Sequence, residues 1–432
     1  MRERNGGAEQ GPDMRDEDYW SSMLAAAADR DVRDPLAGAR ALFELPSGVI
    51  YLDGNSLGPM PHASALEVER AVRHEWAERL ISSWNDADWF ALPTLYGDML
   101  APIIGADKGE VVICDTTSIN IYKTLHAALA LRPDRRVIVA EGGSFPTDLY
   151  VIEGVMASRP DVSTRLEGRD GPDLLDLIDA DVAVVLVNQV DYRSGRKRDL
   201  MAVTEKAHAA GALVIWDLCH SAGVMEVGLN AAGADLAVGC TYKYLNGGPG
   251  APSFVFAAKR HLDGIRQPLS GWWGHAAPFR FDQDYAPDPG IRKFLCGTQG
   301  ILSFRALKPA LEMLLEYDLR DIRAKSVALT ELFIRLVDET CTEYGVSLMS
   351  PRAAEERGSH VALRHPEAYA SVQALIARGV VGDFRMPDVM RFGFAPLYIG
   401  FADVVRAARI LQEVLAGEVW RDPVYSTRAT VT

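Results

Sequence analysis

Short apolar runs alternate with amphipathic stretches through the middle of the chain. The clearest run is residues 182–187, six consecutive apolar residues, a pattern typical of a strand buried on both faces of a sheet. Asp199 can cap the helix that follows, Gly211 ends it, and residues 212–216 form the next apolar run. This is a strand–helix–strand unit. Similar units are predicted around three further apolar runs, at Val111, Val137 and Leu236.

These units predict an α/β protein of two parts. Residues 46–308 are expected to form a large domain with a mainly parallel central sheet flanked by helices. Residues 309–432 are expected to form a smaller α+β domain, with residues 19–45 as a helical segment that packs with it. Residues 1–18 offer little to bury and are expected to be a disordered leader. Four short strands are predicted in the smaller domain, at residues 346–349, 360–363, 380–384 and 390–394.

Composition and charge narrow the functional classes. The 432 residues include 59 acidic and 45 basic side chains, so the net charge is −14 and nucleic acid or an anionic membrane surface is an unfavourable partner. No apolar run approaches the ~18 residues that span a bilayer, and the polar N-terminus lacks an apolar signal core. Five cysteines without a CxxC pair fit reduced thiols in the cytoplasm.

Candidate chemistry lies where the predicted strands end, because ligands bind beyond the carboxyl ends of parallel strands. Thr117 and Ser118 follow the run at Val111 and begin a helix, which suits a phosphate, although simple helix capping is the alternative. Phe145 and Asp148 follow the next run, and could stack on a planar ligand and polarise it, although an ordinary turn explains the segment equally well.

Two further strand ends carry less common residues. Asp217 ends the run at residues 212–216, with His220 three residues on, and a buried carboxylate there calls for a cationic partner. A metal site built on Asp217, Cys219 and His220 lacks a fourth ligand at recognisable spacing, so no metal is expected. Lys243 follows the strand at Leu236 and could form a Schiff base if sheltered. Together these parts suggest a pyridoxal phosphate site.

Seven segments carry a family resemblance. They cover most of the chain between residues 50 and 400, at residues 51–58, 145–148, 216–223, 239–250, 271–275, 294–299 and 391–398. On these segments the chain resembles the kynureninases, pyridoxal-phosphate hydrolases of the aspartate aminotransferase-like fold (fold type I) near the class V aminotransferases. The resemblance implies hydrolysis of L-kynurenine to anthranilate and L-alanine in tryptophan breakdown, with 3-hydroxykynurenine a poorer substrate.

The resemblance also implies roles for individual residues. Lys243 would hold the cofactor and move the Cα proton, Asp217 would pair with the ring nitrogen, and Tyr242 is a candidate for the acid that protonates Cβ or only a phosphate ligand. The remaining cofactor contacts would be Thr117, Ser118, Phe145, Pro146, Thr147, Asp148, Asn188 and His220, with Trp272 and Thr298 reaching it from the partner subunit of a homodimer. Arg391 would clamp the substrate carboxylate, aided by Asn55 and Ser56, and Trp84 would border the aryl pocket.

Some alternatives stay open. Cys219 stands where relatives often carry alanine. Thr298 stands where animal-type relatives carry asparagine, and by the resemblance this threonine favours kynurenine over the 3-hydroxy substrate. Another class V enzyme, such as an aminotransferase or a desulfurase-like lyase with Cys296 as nucleophile, is a rival, as is a non-catalytic binding protein of the same fold.

Overall fold

A computed structural model describes residue 15 and residues 17–168 and 171–428, so most of the predicted leader lies outside the described residues. The helices are α1 (Glu17–Val32), α2 (His62–Arg70), α3 (Ser83–Asp86), α4 (Leu92–Ile104), α5 (Thr117–Leu131), α6 (Pro146–Ser158), α7 (Leu200–Ala209), α8 (Ile301–Leu315), α9 (Leu319–Thr340), α10 (Ala368–Ile376) and α11 (Phe401–Ala416). The strands are β1 (Phe43–Glu44), β2 (Ile50–Tyr51), β3 (Met60–Pro61), β4 (Val111–Ile113), β5 (Val137–Glu141), β6 (Ser163–Glu167), β7 (Val182–Asn188), β8 (Leu213–Asp217), β9 (Leu236–Gly239), β10 (Phe254–Ala257), β11 (Ser347–Leu348), β12 (His360–Arg364), β13 (Val380–Val381), β14 (Asp383–Arg385) and β15 (Val389–Gly393).

The central sheet has seven strands in the order β4-β10-β9-β8-β7-β5-β6. Its pairings are parallel except for those of β10, which is antiparallel to both β4 and β9. Along β7, Val184 and Leu186 join one apolar core while Val185 and Val187 join the other, on the opposite face of the sheet. This burial on both faces explains the unbroken apolar runs and confirms the predicted α/β fold.

A second, antiparallel sheet has the strand order β11-β12-β15-β14. In the hairpin of β14 and β15, Asp383 lies opposite Arg391. The single strand predicted at residues 380–384 is wrong in one respect: it divides at Gly382, because β13 pairs with β2 in a separate two-stranded sheet. The predicted domain boundary at residue 308 falls inside α8, and the division into two domains stays a prediction.

The N-terminal helix α1 packs against α11, where the Trp20 indole donates to Gln412 Oε1 at 3.1 Å. The Asp31 carboxylate accepts hydrogen bonds from the first amides of α11, Phe401 N at 2.6 Å and Ala402 N at 3.0 Å. The helical segment predicted over residues 19–45 is shorter than expected on its C-terminal side. It ends at Val32, close before Pro35, whose ring disfavours helical geometry in the residue that precedes it.

Across the described ranges, no helix combines the length with the apolar character that crossing a bilayer requires.

Candidate active site

A cavity of about 360 Å³ opens at the carboxyl ends of β7 and β8. It brings together most of the side chains predicted from the sequence, together with several that were not. The lining residues are Asn55, Ser56, Thr116, Thr117, Ser118, Phe145, Thr147, Asp148, Asn188, Tyr192, Asp217, Cys219, His220, Tyr242, Lys243, Gly250, Ala251, Ser253, Arg385 and Arg391.

Lys243 lies in the turn after β9, with its Nζ 3.0 Å from His220 Nε2. Two backbone hydrogen bonds fix this turn, from Asn246 N to the Lys243 carbonyl at 2.9 Å and from Gly58 N to the Tyr242 carbonyl at 2.7 Å. Burial and the Lys243 charge hold the pKa of His220 well below its ordinary value, so the imidazole is neutral. A neutral imidazole can accept a hydrogen bond from the lysine amine and does not repel it electrostatically.

Asp217 ends β8 with its carboxylate buried at the floor of the cavity. Its Oδ1 accepts the Cys219 amide at 2.7 Å, and no basic side chain in the described ranges forms an ion pair with it. Burial, and after it the Cys219 thiol, raise the pKa of Asp217 well above its usual value. An ionised carboxylate at this buried position costs free energy unless a cation lies opposite it.

Asp148 lies in the first turn of α6, where Ser144 Oγ donates to its Oδ2 at 2.8 Å. The Asn188 amide, at the end of β7, reaches the same oxygen at 3.2 Å. Burial, and after it the charge of Asp217, raise the pKa of Asp148 to about 7. Two carboxyl groups therefore face one small space, and each makes the ionisation of the other harder.

The part of the cavity that suits a phosphate group is formed by the start of α5. Thr116 caps this helix by accepting the Ile119 amide at 3.4 Å, which leaves Thr117 and Ser118 at its first positions. Thr117 Oγ1 lies 3.1 Å from Ser253 Oγ, so hydroxyl groups surround the helix terminus. Hydroxyls and free amides at the positive end of a helix suit an anion.

Phe145 and Tyr192 form an aromatic wall of the cavity. Their ring centroids are 5.3 Å apart in an edge-to-face arrangement, and Phe145 remains 44 % exposed. The open face of the Phe145 ring can therefore stack on a planar ligand.

Arg391, which is 1 % exposed, lines the cavity from β15, and with Arg385 and Ser56 it forms the arginine end of the cavity. Its Nε donates to Asp383 Oδ1 at 2.8 Å, its Nη2 donates to Asp383 Oδ2 and to Ser56 Oγ at 3.0 Å, and its Nη1 donates to the Tyr192 carbonyl. Arg385 forms a second ion pair with Asp383 at 2.7 Å.

Asn55 is fully buried beside this arginine end. Neither its amide nitrogen nor its carbonyl oxygen has a hydrogen-bond partner among the described residues, although the side chain lines the cavity. A side chain at Gly393 would collide with Asn55 Oδ1, since a Cβ there would lie 2.0 Å away. An unpaired, tightly held amide is well suited to a polar ligand.

Four predicted site residues do not line this cavity: Pro146, Trp84, Trp272 and Thr298. Pro146 begins α6 between the lining residues Phe145 and Thr147. Trp84 and Trp272 belong to one aromatic cluster, with ring centroids 6.2 Å apart, and Thr298 is exposed. These three are not brought to the cavity of their own chain.

Arg385, Tyr192 and Ser253 line the cavity but were not predicted. Arg385 shares a face of β14 with Asp383, but only the pairing of β14 with β15 brings that face to Arg391, so the local sequence does not mark it. Tyr192 and Ser253 lie in irregular segments, and nothing in the local sequence marks them.

The residues present fit pyridoxal phosphate. The buried Asp217 carboxylate lacks a cationic partner in the described ranges, and a protonated ring nitrogen would supply one. The hydroxyl-lined start of α5 fits the phosphate, and Lys243 can form the Schiff base.

Solved structures share this fold. A cysteine desulfurase from Thermococcus onnurineus NA1 aligns with a TM-score of 0.72 at 18 % identity, covering 88 % of this chain and 98 % of that one. A mutant of C-DES with glycine covalently linked to its PLP cofactor aligns with a TM-score of 0.74 at 15 % identity, covering 86 % and 98 %. Fold and site together define a pyridoxal-phosphate-dependent enzyme of fold type I.

Sequence relatives narrow this class. A profile described as the kynureninase C-terminal domain matches residues 322–411. A kynureninase from Burkholderia pseudomallei (strain 1106a) is 52 % identical over 413 residues, which cover 94 % of this chain and 99 % of the relative. The chain belongs to the kynureninase family. The predicted enzyme class, a pyridoxal-phosphate-dependent hydrolase of the kynurenine pathway, is thereby confirmed.

Proposed function

We propose that this chain hydrolyses L-kynurenine to anthranilate and L-alanine with the residues of the 360 Å³ cavity, and that 3-hydroxykynurenine is a poorer substrate. The observation that carries the proposal is the convergence of Lys243, Asp217 and Arg391 on one cavity. Pyridoxal phosphate, when bound, supplies an electron-withdrawing ring that stabilises negative charge on the substrate carbons. The protein must then position the substrate and move protons.

Arg391 is proposed to hold the substrate α-carboxylate, with Ser56 and Asn55 beside it. Asp383 fixes the guanidinium through two hydrogen bonds, so its plane is set before the substrate arrives. The unpaired Asn55 amide can donate to the same carboxylate. This preorganisation lowers the entropy that binding would otherwise cost.

Lys243 is proposed to remove the proton from the substrate Cα. His220, 3.0 Å from Lys243 Nζ, orients the amine and remains neutral because burial and the lysine charge depress the pKa of its imidazole. A neutral imidazole can accept a hydrogen bond from the Lys243 amine and so hold it in a fixed position.

Tyr242 is proposed to be the acid that protonates Cβ when the Cβ–Cγ bond breaks. Burial, and after it the Cys240 thiol, raise the pKa of Tyr242, so the phenol keeps its proton at neutral pH. Asp148, Asn188 and His220 are proposed to support the cofactor ring and its oxygen, with Phe145 stacked on the ring.

A homodimer is proposed to complete the site. Trp272 and Thr298 would reach the cofactor of the partner subunit, which agrees with their location outside the cavity of their own chain. Trp84 packs against Trp272, so it would border the partner's aryl pocket rather than its own. The proposed location is the cytoplasm, on the basis of the cysteine pattern alone.

A desulfurase-like activity has no supporting observation. Cys296, the predicted candidate nucleophile, does not line the cavity, whereas Cys219 does. Contact with Cys240 and burial raise the pKa of the Cys219 thiol well above its usual value. A thiol that keeps its proton is a poor nucleophile.

Anthranilate fluorescence tests the proposal directly. Wild-type protein loaded with the cofactor should be yellow and should release anthranilate from L-kynurenine faster than it consumes 3-hydroxykynurenine. Lys243→Ala should lower the rate by at least about 10⁴-fold, since it removes both the covalent anchor and the base. Lys206→Ala, at an exposed position, is the control and should match wild type. A yellow wild-type protein without anthranilate release would refute the reaction.

A further inference from the structure

The arginine end of the cavity contains a second guanidinium group with no role in the proposed reaction. We propose that Arg385 donates directly to the α-carboxylate of the substrate, alongside Arg391, and so selects amino acids over simple amines. This inference rests on the proposed function and names a further specificity-determining residue within the same site.

Arg391 has little hydrogen-bonding capacity left. A guanidinium carries five N–H donors. Four of them are engaged, two with Asp383, one with Ser56 and one with the Tyr192 carbonyl. The remaining N–H, on Nη1, cannot by itself form the two parallel hydrogen bonds of a bidentate carboxylate pair.

Arg385 has the capacity that Arg391 lacks. Its side chain is 32 % exposed, compared with 1 % for Arg391, and it lines the same cavity. Among the described residues its donors meet the Asp383 carboxylate at 2.7 Å and the Phe384 carbonyl at 3.0 Å. Five donors less these two leave three N–H groups for a ligand.

The charges at this end favour an anion. One carboxylate, Asp383, serves both Arg391 and Arg385. The charge of Asp53 also reaches both arginines; burial and the Asp383 charge raise the pKa of Asp53 to about 7, so it is partly protonated near neutral pH. Two guanidinium groups therefore face fewer than two full negative charges, and a bound carboxylate would balance the excess.

Two further observations place a carboxylate here. Asn55 lines the same end and is fully buried, and both polar atoms of its amide lack partners among the described residues, as expected if a ligand completes them. The charges of both guanidinium groups also reach His220, which contacts the Lys243 amine. A carboxylate bound between the arginines would thus lie near the carbon that carries the substrate amine.

The experiment compares two ligands that differ only in the carboxylate. These are L-kynurenine and kynuramine, the corresponding amine without the carboxylate. Arg385→Gln should raise the KM for L-kynurenine about tenfold to hundredfold, since a hydrogen bond to a charged group is lost, with kcat changed less than about threefold. The Kd of kynuramine, measured by calorimetry, should stay within about twofold of wild type.

Arg193→Gln is the matched control, because the Arg193 side chain is similarly exposed, at 31 %, and does not line the cavity. It should leave both constants unchanged. Arg385→Lys keeps the charge without the planar fork, so its KM should lie between those of wild type and Arg385→Gln, which tests the proposal if the glutamine variant does not fold.

Direct contact and mere positioning of Arg391 are separated by the double variant. If Arg385 touches the carboxylate, Arg385→Gln should raise the KM further in an Arg391→Lys background. An unchanged KM in that background, an unchanged KM in the wild-type background, or an equal weakening of kynuramine binding would overturn the inference. None of these results affects the proposed reaction, which fails only if wild-type protein releases no anthranilate.

Discussion

The two ends of the cavity differ in how their charges are balanced. At the cofactor end, Asp217 is buried without an ion-pair partner in the described ranges, and the nearby Asp148 has a pKa raised to about 7 by burial and by Asp217. At the arginine end, Arg391 is bound to Asp383 through two hydrogen bonds. At the first end a carboxylate has no ion-pair partner in the described ranges, whereas at the second end two arginines share one carboxylate of the protein.

This difference in charge balance fits how long each ligand stays bound, the cofactor through many reaction cycles and the substrate through one. A cofactor that stays through many reaction cycles can supply a permanent countercharge, so the protein leaves Asp217 unpaired. A substrate enters and leaves in each cycle, and an arginine left without a counterion would be costly during every empty interval. Asp383 lowers that cost, and the proposed binding of the substrate carboxylate would balance the positive charge that remains.

The largest expected effect tests the cofactor end. Asp217→Asn keeps the shape of the side chain but removes the charge that would face the ring nitrogen. We expect kcat to fall by about 10³-fold, which corresponds to about 4 kcal/mol, and the cofactor to dissociate more readily. Anthranilate release and cofactor retention after dialysis measure these two effects.

Asp235→Asn is the control for this variant. Asp235 is also a buried carboxylate, but it lies directly before β9, at the opposite end of the strand from Lys243, and it accepts hydrogen bonds from His208, His261 and Arg260. Its substitution should cost stability without changing kcat of the folded protein. Equal losses of kcat in both variants would contradict a special role for Asp217.

The next effect tests the arginine end. Asp383→Asn leaves Arg391 and Arg385 without their shared counterion, so we expect the free energy of unfolding to fall by about 3 kcal/mol. L-alanine, which has an α-carboxylate, should raise the Tm of this variant more than that of wild type. Thermal unfolding with and without L-alanine measures both. Identical shifts would show that Asp383 and the ligand carboxylate do not act on the same arginines.

The smallest effect concerns pH. Because the pKa of Asp148 is raised to about 7 in the folded protein, its contribution to stability is present at acid pH and is lost as the pH rises through 7. Asp148→Asn abolishes this titration. In cofactor-free protein, the Tm of the variant minus that of wild type should therefore increase from pH 5 to pH 9, by an amount equivalent to about 2 kcal/mol.

Glu110→Gln serves as the control here, since hydrogen bonds from the Asp107 amide and from Asn230 outweigh burial and lower the pKa of Glu110. Its titration should be complete below pH 5, so its Tm difference should not rise in the same interval. A flat difference for Asp148→Asn would show that the Asp148 carboxyl is already charged at pH 5.

The sequence was informative where local pattern determines structure. The apolar run at residues 182–187 is a strand, β7, because burial on both faces allows no polar position, and Asp199 caps the following helix as predicted. Because the carboxyl ends of parallel strands meet at one edge of the sheet, the predicted strands were enough to assign Asp217, at the end of β8, and Lys243, after β9, to the same site.

What the sequence could not determine depends on contacts between distant segments. Arg385 enters the cavity because β14 pairs with β15 in a register that sets Asp383 opposite Arg391. Trp84 lies in a helix of four residues, packs on Trp272 and does not line the cavity of its own chain, which only the folded structure shows. Neither fact has a signature in the neighbouring residues.

The contact of Asp31 with the first amides of α11 limits how far the N-terminus can be shortened. Those amides have no other acceptor of comparable charge among the described residues, and α11 begins ten residues after Arg391. Deletions that stop before Glu17 leave α1 and this cap intact, so affinity tags and fusion partners belong there. A deletion that removes Asp31 would take away the cap of α11, the helix that follows the strand bearing Arg391.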